Sequence, residues 1–178
     1  MNALFNKEYS FRGSHAEKVM QLTAQFDSTS SAKLFYRNID VYLIAPIIGF
    51  LYGRKANIDK TSDSTTKIFP QQLTNELTNL RYNYQLIVLL DAVNENSFDE
   101  RLNKAFRYYD SEESKEDEAL YEQYVLGGVD ILYEKLIENA STSEDYIEKL
   151  YDFLEEFDER YNQAITSDSI IELCNLAR

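Results

Sequence analysis

Few residues in this 178-residue chain could carry out chemistry, and their types narrow the possibilities quickly. His15 is the single histidine and Cys174 the single cysteine. A histidine-rich or cysteine zinc site, an internal disulfide and a di-iron centre with two Glu-x-x-His motifs are therefore all excluded. A metal would have to be held by carboxylates alone, the ligand type that suits magnesium or calcium. Carboxylates are plentiful in Glu112-Glu113, Glu116-Asp117-Glu118 and Glu155-Glu156-Phe157-Asp158-Glu159, but this spacing spreads them around a solvated helix surface instead of converging them. Cys174 shares an apolar stripe with Ile170, Ile171 and Leu173, the setting of an inert buried thiol. The sequence holds no Gly-x-Ser-x-Gly elbow, Walker loop or dinucleotide fingerprint. The expectation is a chain with no catalytic residue, no cofactor and no metal.

What remains is recognition chemistry. Met1 to Leu90 holds ten Lys/Arg against seven Asp/Glu, whereas Asp91 to Arg178 holds eight against twenty-four, within a formal net charge of −13. So steep a split says where partners of each sign could dock, and how one copy could meet another to form a homo-oligomer. The basic candidates are Arg54, Lys55, Lys60 and Lys67, in an irregular stretch from Gly53 to Pro70; a loop of that length is usually functional or flexible. Gly53-Arg54-Lys55 reads either as a glycine-stopped helix end complemented by positive charge, or as a socket for phosphate or an acidic partner. The acidic candidates are Glu155, Glu156, Asp158 and Glu159. A third group is Tyr124, Gly127 and Gly128, where two glycines interrupt a helical pattern at about 1 kcal/mol each relative to alanine. Such a pair lets another helix approach closely, marks a helix break, or contacts a ligand, the first two being favoured.

These groups must be positioned by helices. The pattern Ser/Thr-x-x-Glu, a helix-start signal, occurs at Ser14/Glu17, Ser97/Glu100, Ser141/Glu144 and Ser169/Glu172. After Ser141 the residues Ile147, Leu150, Tyr151, Leu154, Phe157 and Tyr161 recur at helical spacing, with Glu148, Asp152, Glu155, Glu156 and Glu159 between them, and predict an amphipathic helix with an acidic outer face. Tyr121, Val125, Val129, Leu132 and Leu136 predict a helix from about Lys115 to Glu138. Leu73, Leu77, Leu80, Tyr84, Ile87 and Leu90 predict another after Pro70. The uncharged run Val41 to Tyr52 is too short to cross a bilayer, which takes about 20 apolar residues, and reads as a buried core helix that kinks or restarts at Pro46. With five Gly and two Pro in the chain and weak strand signals, the expectation is an all-α fold. One helical domain spans residues 1–178 as a single compact bundle of six or seven helices, with a basic loop at 53–70 and an acidic half at 91–178. The first residues lack the apolar run and cleavage site of a signal peptide, and a lone cysteine fits a reducing compartment, so a cytoplasmic, non-membrane protein is expected.

The segments Asn38-Ile-Asp40-Val-Tyr42-x-x-Ala45-x-x-x-Gly49, Gly53-Arg54-Lys55 and Tyr124-x-x-Gly127-Gly128-x-x-x-Leu132 resemble small accessory proteins found beside DNA-phosphorothioation (Dnd) genes and related bacterial anti-phage loci. The resemblance covers about Asp40 to Leu136 and leaves out the acidic tail from Glu138. It implies a part in a bacterial phage-defence assembly and supplies no catalytic residues. The leading expectation is a protein–protein interaction or regulatory subunit, an adaptor whose fourteen tyrosines supply contact area with a polar tip. Two alternatives stand beside it. One is an acidic nucleic-acid mimic that inhibits a DNA-binding enzyme. The other is an accessory protein that binds nucleic acid through its basic loop, against repulsion from the acidic remainder.

Overall fold

The computed structural model describes residues 4–27 and 31–162. Cys174, with Ile170, Ile171 and Leu173, and the helix-start pair Ser169/Glu172 lie outside them. The described chain is mostly helical. Strand β1 (Tyr9–Arg12) leads into α1 (Gly13–Leu22) and α2 (Asn38–Leu51); β2 (Thr65–Ile68) then precedes α3 (Pro70–Asn75) and α4 (Leu77–Leu90). α5 (Phe98–Leu102) runs on through a π-helical turn over Asn103–Arg107, and a 3-10 turn over Glu112–Ser114 opens α6 (Lys115–Leu136), which is followed by α7 (Ser143–Tyr161).

α6 is the central helix. Tyr121, Val125, Val129, Leu132 and Leu136 are all buried, as their spacing predicts, but so are Tyr124, Leu126 and Ile131 on its other sides. α2 lies against it, and Ile39, Val41, Tyr42, Ala45, Pro46, Ile48 and Gly49 are buried there. The helix does not restart at Pro46 but runs without interruption from Asn38 to Leu51. Proline removes one backbone bond and crowds the preceding turn, but the apolar burial of the whole segment outweighs that loss.

Backbone proximity distinguishes this pair. A Cβ placed on Gly128 would overlap the carbonyl of Ala45, one on Gly49 would overlap the carbonyl of Tyr124, and one on Gly127 would overlap the carbonyl of Arg54. α2 ends in a glycine motif. Gly53, at φ +65°, turns the chain, its amide donates to Phe50 O at 3.0 Å, and the Arg54 amide donates to Gly49 O at 2.8 Å. The chain leaving α2 is thereby laid directly over Gly127.

Four local expectations need correction. The stretch Gly53–Pro70 is not wholly irregular, because β2 pairs antiparallel with β1 in the register Tyr9↔Ile68, Ser10↔Lys67, Phe11↔Thr66 and Arg12↔Thr65. Only Phe11 and Ile68 of that ladder are buried, so its alternation is too short to stand out. The pair Ser14/Glu17 is not a cap. The Ser14 amide donates to Asp59 Oδ2 at 2.9 Å, and Glu17 Oε1 accepts from Ser62 and Ser64. α7 is capped one residue later than Ser141, by Thr142, whose hydroxyl accepts from the Asp145 amide at 3.2 Å while Asp145 accepts from the Thr142 amide at 2.8 Å. Ser97 does cap α5, accepting from the Glu100 amide at 3.3 Å. The segment after Pro70 breaks at Glu76 into α3 and α4, leaving Leu77 and Leu90 in solvent. Among the described residues no helix is long and apolar enough to cross a membrane.

Alanine at an ordinary glycine in a helix interior raises stability by about 1 kcal/mol. Gly128→Ala is expected to do the reverse, lowering stability by about 2 kcal/mol or more because the Ala45 backbone cannot move aside. Urea denaturation measures it, and a midpoint that is unchanged or raised would show that the two helix backbones do not meet there.

Candidate functional site

The basic candidates are largely engaged inside the chain. Arg54 makes a two-pronged pair with Glu134 of α6, at 2.8 and 2.7 Å. Lys55 donates to Asn94 Oδ1 at 2.8 Å, its ammonium 5.2 Å from the centre of the Tyr124 ring. Lys67 pairs with Glu8 at 2.8 Å. Of the four, only Lys60 has no partner among the described residues; it borders a cleft of about 430 Å³. The Ala56 amide donates to the carbonyl of Gln123 at 3.0 Å, which fastens the segment after α2 to α6.

Tyr124 joins these pieces. Its hydroxyl donates to Asp91 Oδ2 at 2.7 Å in a buried bond, and the Asn94 side chain donates to the same carboxylate oxygen. Burial, then the Asp91 carboxylate, push the phenol well above its ordinary range, so it stays a donor. Phe50 of α2 meets its ring edge-on at 5.6 Å. Tyr124, Gly127 and Gly128 thus form one seam with Arg54 and Lys55. Gly127 faces the segment behind α2 and Gly128 faces α2 itself, an arrangement that accounts for the glycines by close packing.

His15 is buried against α6. Its Nε2 stands 3.4 Å from Asp130 Oδ1 without completing a hydrogen bond, and Lys18 Nζ reaches the same oxygen at 2.6 Å. Burial pushes the Asp130 carboxyl up, but His15 and Lys18 outweigh it and hold the group below the usual aspartate range. Among the described residues no cluster of three or more His, Cys, Asp or Glu is placed to hold a metal ion.

α7 departs most from its sequence pattern. Of the apolar residues expected to face the core, Ile147, Leu150, Tyr151 and Leu154 are 61, 37, 65 and 57% exposed. The side that packs carries Tyr146, Phe153, Phe157 and Tyr161: Tyr146 stacks on Phe26 at 5.1 Å, Phe153 is buried, and Phe157 packs against the core. The Tyr161 hydroxyl donates to the carbonyl of Leu51 at 2.9 Å. Polar ties fix the same rotation, since Glu156 accepts from Lys135 at 2.5 Å and from the Tyr52 hydroxyl at 3.1 Å. Burial and that hydrogen bond push the Tyr52 hydroxyl up to about 12, so it remains a donor. Of the four acidic candidates, Glu156 is therefore tied to the body of the fold, whereas Glu155, Asp158 and Glu159 are exposed.

Ile147, Leu150, Tyr151 and Leu154 follow one another at helical spacing and form a ridge. The 100° step per residue places Glu144, Glu148, Glu155 and Glu159 together along one border of it. The sequence pattern joins Ile147, Leu150, Tyr151, Leu154, Phe157 and Tyr161 in one stripe and misses Tyr146 and Phe153, which pack. The rotation is set by Phe26, Leu51, Tyr52 and Lys135, all distant in the chain. No protein-family model, curated protein or solved structure matches this chain.

The lowered Asp130 carboxyl has a direct consequence for stability. Its contribution is fully present above the unfolded aspartate value of about 4 and is lost as pH falls through the lower folded value. Asp130→Asn is expected to be less stable than the parent at pH 7 and to lose less stability on acidification below pH 4. Parallel unfolding midpoints for the two proteins across that range would contradict the placement.

Proposed function

We propose that this chain is a non-catalytic protein-interaction or regulatory subunit that engages its partner through the ridge of α7. The observation supporting this is the ridge itself, four large apolar side chains on successive turns in solvent, on a helix whose adjoining side is already packed. A contiguous apolar strip with a polar border is the signature of an interaction surface. Its occupant follows from the border: with Glu144, Glu148, Glu155 and Glu159 along one side, the matching surface is an amphipathic helix of another protein that carries an apolar face and Lys or Arg at its margin. The resemblance to Dnd-associated proteins would make that protein a component of a bacterial defence assembly. Nucleic-acid binding through the basic loop has less support, because Arg54, Lys55 and Lys67 already have partners within the chain. An acidic mimic would use Glu155, Asp158 and Glu159, but has no use for the apolar strip beside them.

The test compares the parent with Ile147→Ser/Leu154→Ser and with Arg54→Glu/Lys55→Glu, each as a purified bait against native lysate, with every recovered protein then titrated in pure form. The ridge variant is expected to weaken the recovered complex at least tenfold and the basic-edge variant to leave it near the parent value, since exposed Ile147 and Leu154 add nothing to the core. A complex unaffected by the ridge variant would overturn the proposal. So would recovery of nucleic acid alone, or a ridge covered by a second copy of the chain.

A further inference from the structure

The ridge of α7 has a counterpart in the same chain. Ile147, Leu150, Tyr151 and Leu154 follow one another at steps of three, one and three residues, all of them in solvent. Residues 163–178 come after α7, and there Ile170, Leu173, Cys174 and Ala177 repeat the same steps. On a helix those steps put four side chains on one face, the spacing by which two amphipathic helices pack along a seam. Ser169 and Glu172 supply a helix-start signal directly ahead of the first apolar residue.

Length fits this pairing. In an antiparallel arrangement with Cys174 opposite Tyr151, Ser169 comes level with Glu156, roughly 8 Å back along the axis from Tyr161. Two packed helix axes lie about 9 Å apart. The seven residues from Asn162 to Asp168 span up to about 23 Å when extended, ample for that return.

Charge fits it as well. With Cys174 at Tyr151, Arg178 comes level with Ile147. The 100° step per residue puts Arg178 at one margin of the apolar face and Glu172 on the far side of the helix. Antiparallel packing turns that margin to the side on which Glu144 and Glu148 border the ridge, and both of these are exposed with no partner among the described residues. Residues 169–178 thus carry what the ridge demands of an occupant, an apolar face with a cation at its edge. A segment tethered so closely is present at an effective concentration of about millimolar, ahead of any free helix of similar affinity.

We infer that residues 169–178 form a helix that packs antiparallel on the α7 ridge, with Cys174 against Tyr151 and Arg178 beside Glu144 and Glu148, and that a partner gains the ridge by displacing it. The docking stands by itself; its regulatory role rests on the reading of the ridge as a partner surface.

Cys174, the single cysteine, reports the docking. The rate at which it reacts with an aromatic disulfide reagent is measured on the full chain for the parent, Ile147→Ser/Leu154→Ser, Ile170→Ser/Leu173→Ser, and Val93→Ser, a change at an exposed apolar residue outside the ridge. The parent thiol is expected to react about tenfold more slowly than in denaturant, at a rate independent of protein concentration. The ridge and segment variants are each expected to remove that protection, and Val93→Ser to keep it. The segment variant is also expected to bind a partner recovered on the ridge about tenfold more tightly than the parent does. A thiol fully reactive in the parent, protection that survives the ridge variant, or protection that grows with protein concentration would overturn the docking and leave the partner reading standing. Protection lost in both variants with partner affinity unmoved by the segment variant would uphold the helix pair and overturn its regulatory role.

Discussion

The backbone contact between α2 and α6 is the constraint on which the rest of the structure depends. Gly49, Gly127 and Gly128 remove the side chains that would hold the two helices apart, and the carbonyls of Ala45, Tyr124 and Arg54 occupy the space. Interiors are packed too densely to accept even a methyl group at such points. Once the helices close, Gly53 must turn the chain back over α6, which delivers Arg54 to Glu134 and Lys55 to Asn94 and Tyr124. The same approach brings Leu51 and Tyr52 to the end of α7, where Tyr161 and Glu156 meet them.

This closure also changes the meaning of the charge split. A basic front and an acidic back suggest two copies meeting head to tail, or a basic edge waiting for phosphate. In the folded chain the two halves meet within one molecule: Arg54 with Glu134, Lys18 with Asp130, and the Tyr52 hydroxyl with Glu156. Exposed pairs of this kind contribute little stability each, but Glu134 neutralises Arg54 and Glu8 neutralises Lys67, which halves the loop's four positive charges. What stays unsatisfied is elsewhere, in the apolar ridge with an acidic border on α7.

Helix positions and the core of α6 were legible in the sequence because long, periodic segments report the face they bury. The glycine pair was legible as an anomaly for the same reason, as a cost in an otherwise regular helix. Three features were hidden by physical causes that local sequence does not carry. Pro46 is tolerated because burial along α2 exceeds its cost. The strand pair joins segments more than fifty residues apart through four polar-rich residues each. α7 has two apolar lines, and its rotation is set by aromatic partners on other elements.

Native-state hydrogen exchange on the full chain tests the central seam most directly. Amides of α2 from Tyr42 to Gly49 and of α6 from Tyr121 to Leu132 are predicted to exchange only through global unfolding, with an opening free energy equal to that from denaturant melting. α7, held at one side only, is predicted to open at a lower free energy. Seam amides that exchange by local opening while α7 is the slowest element would contradict the account.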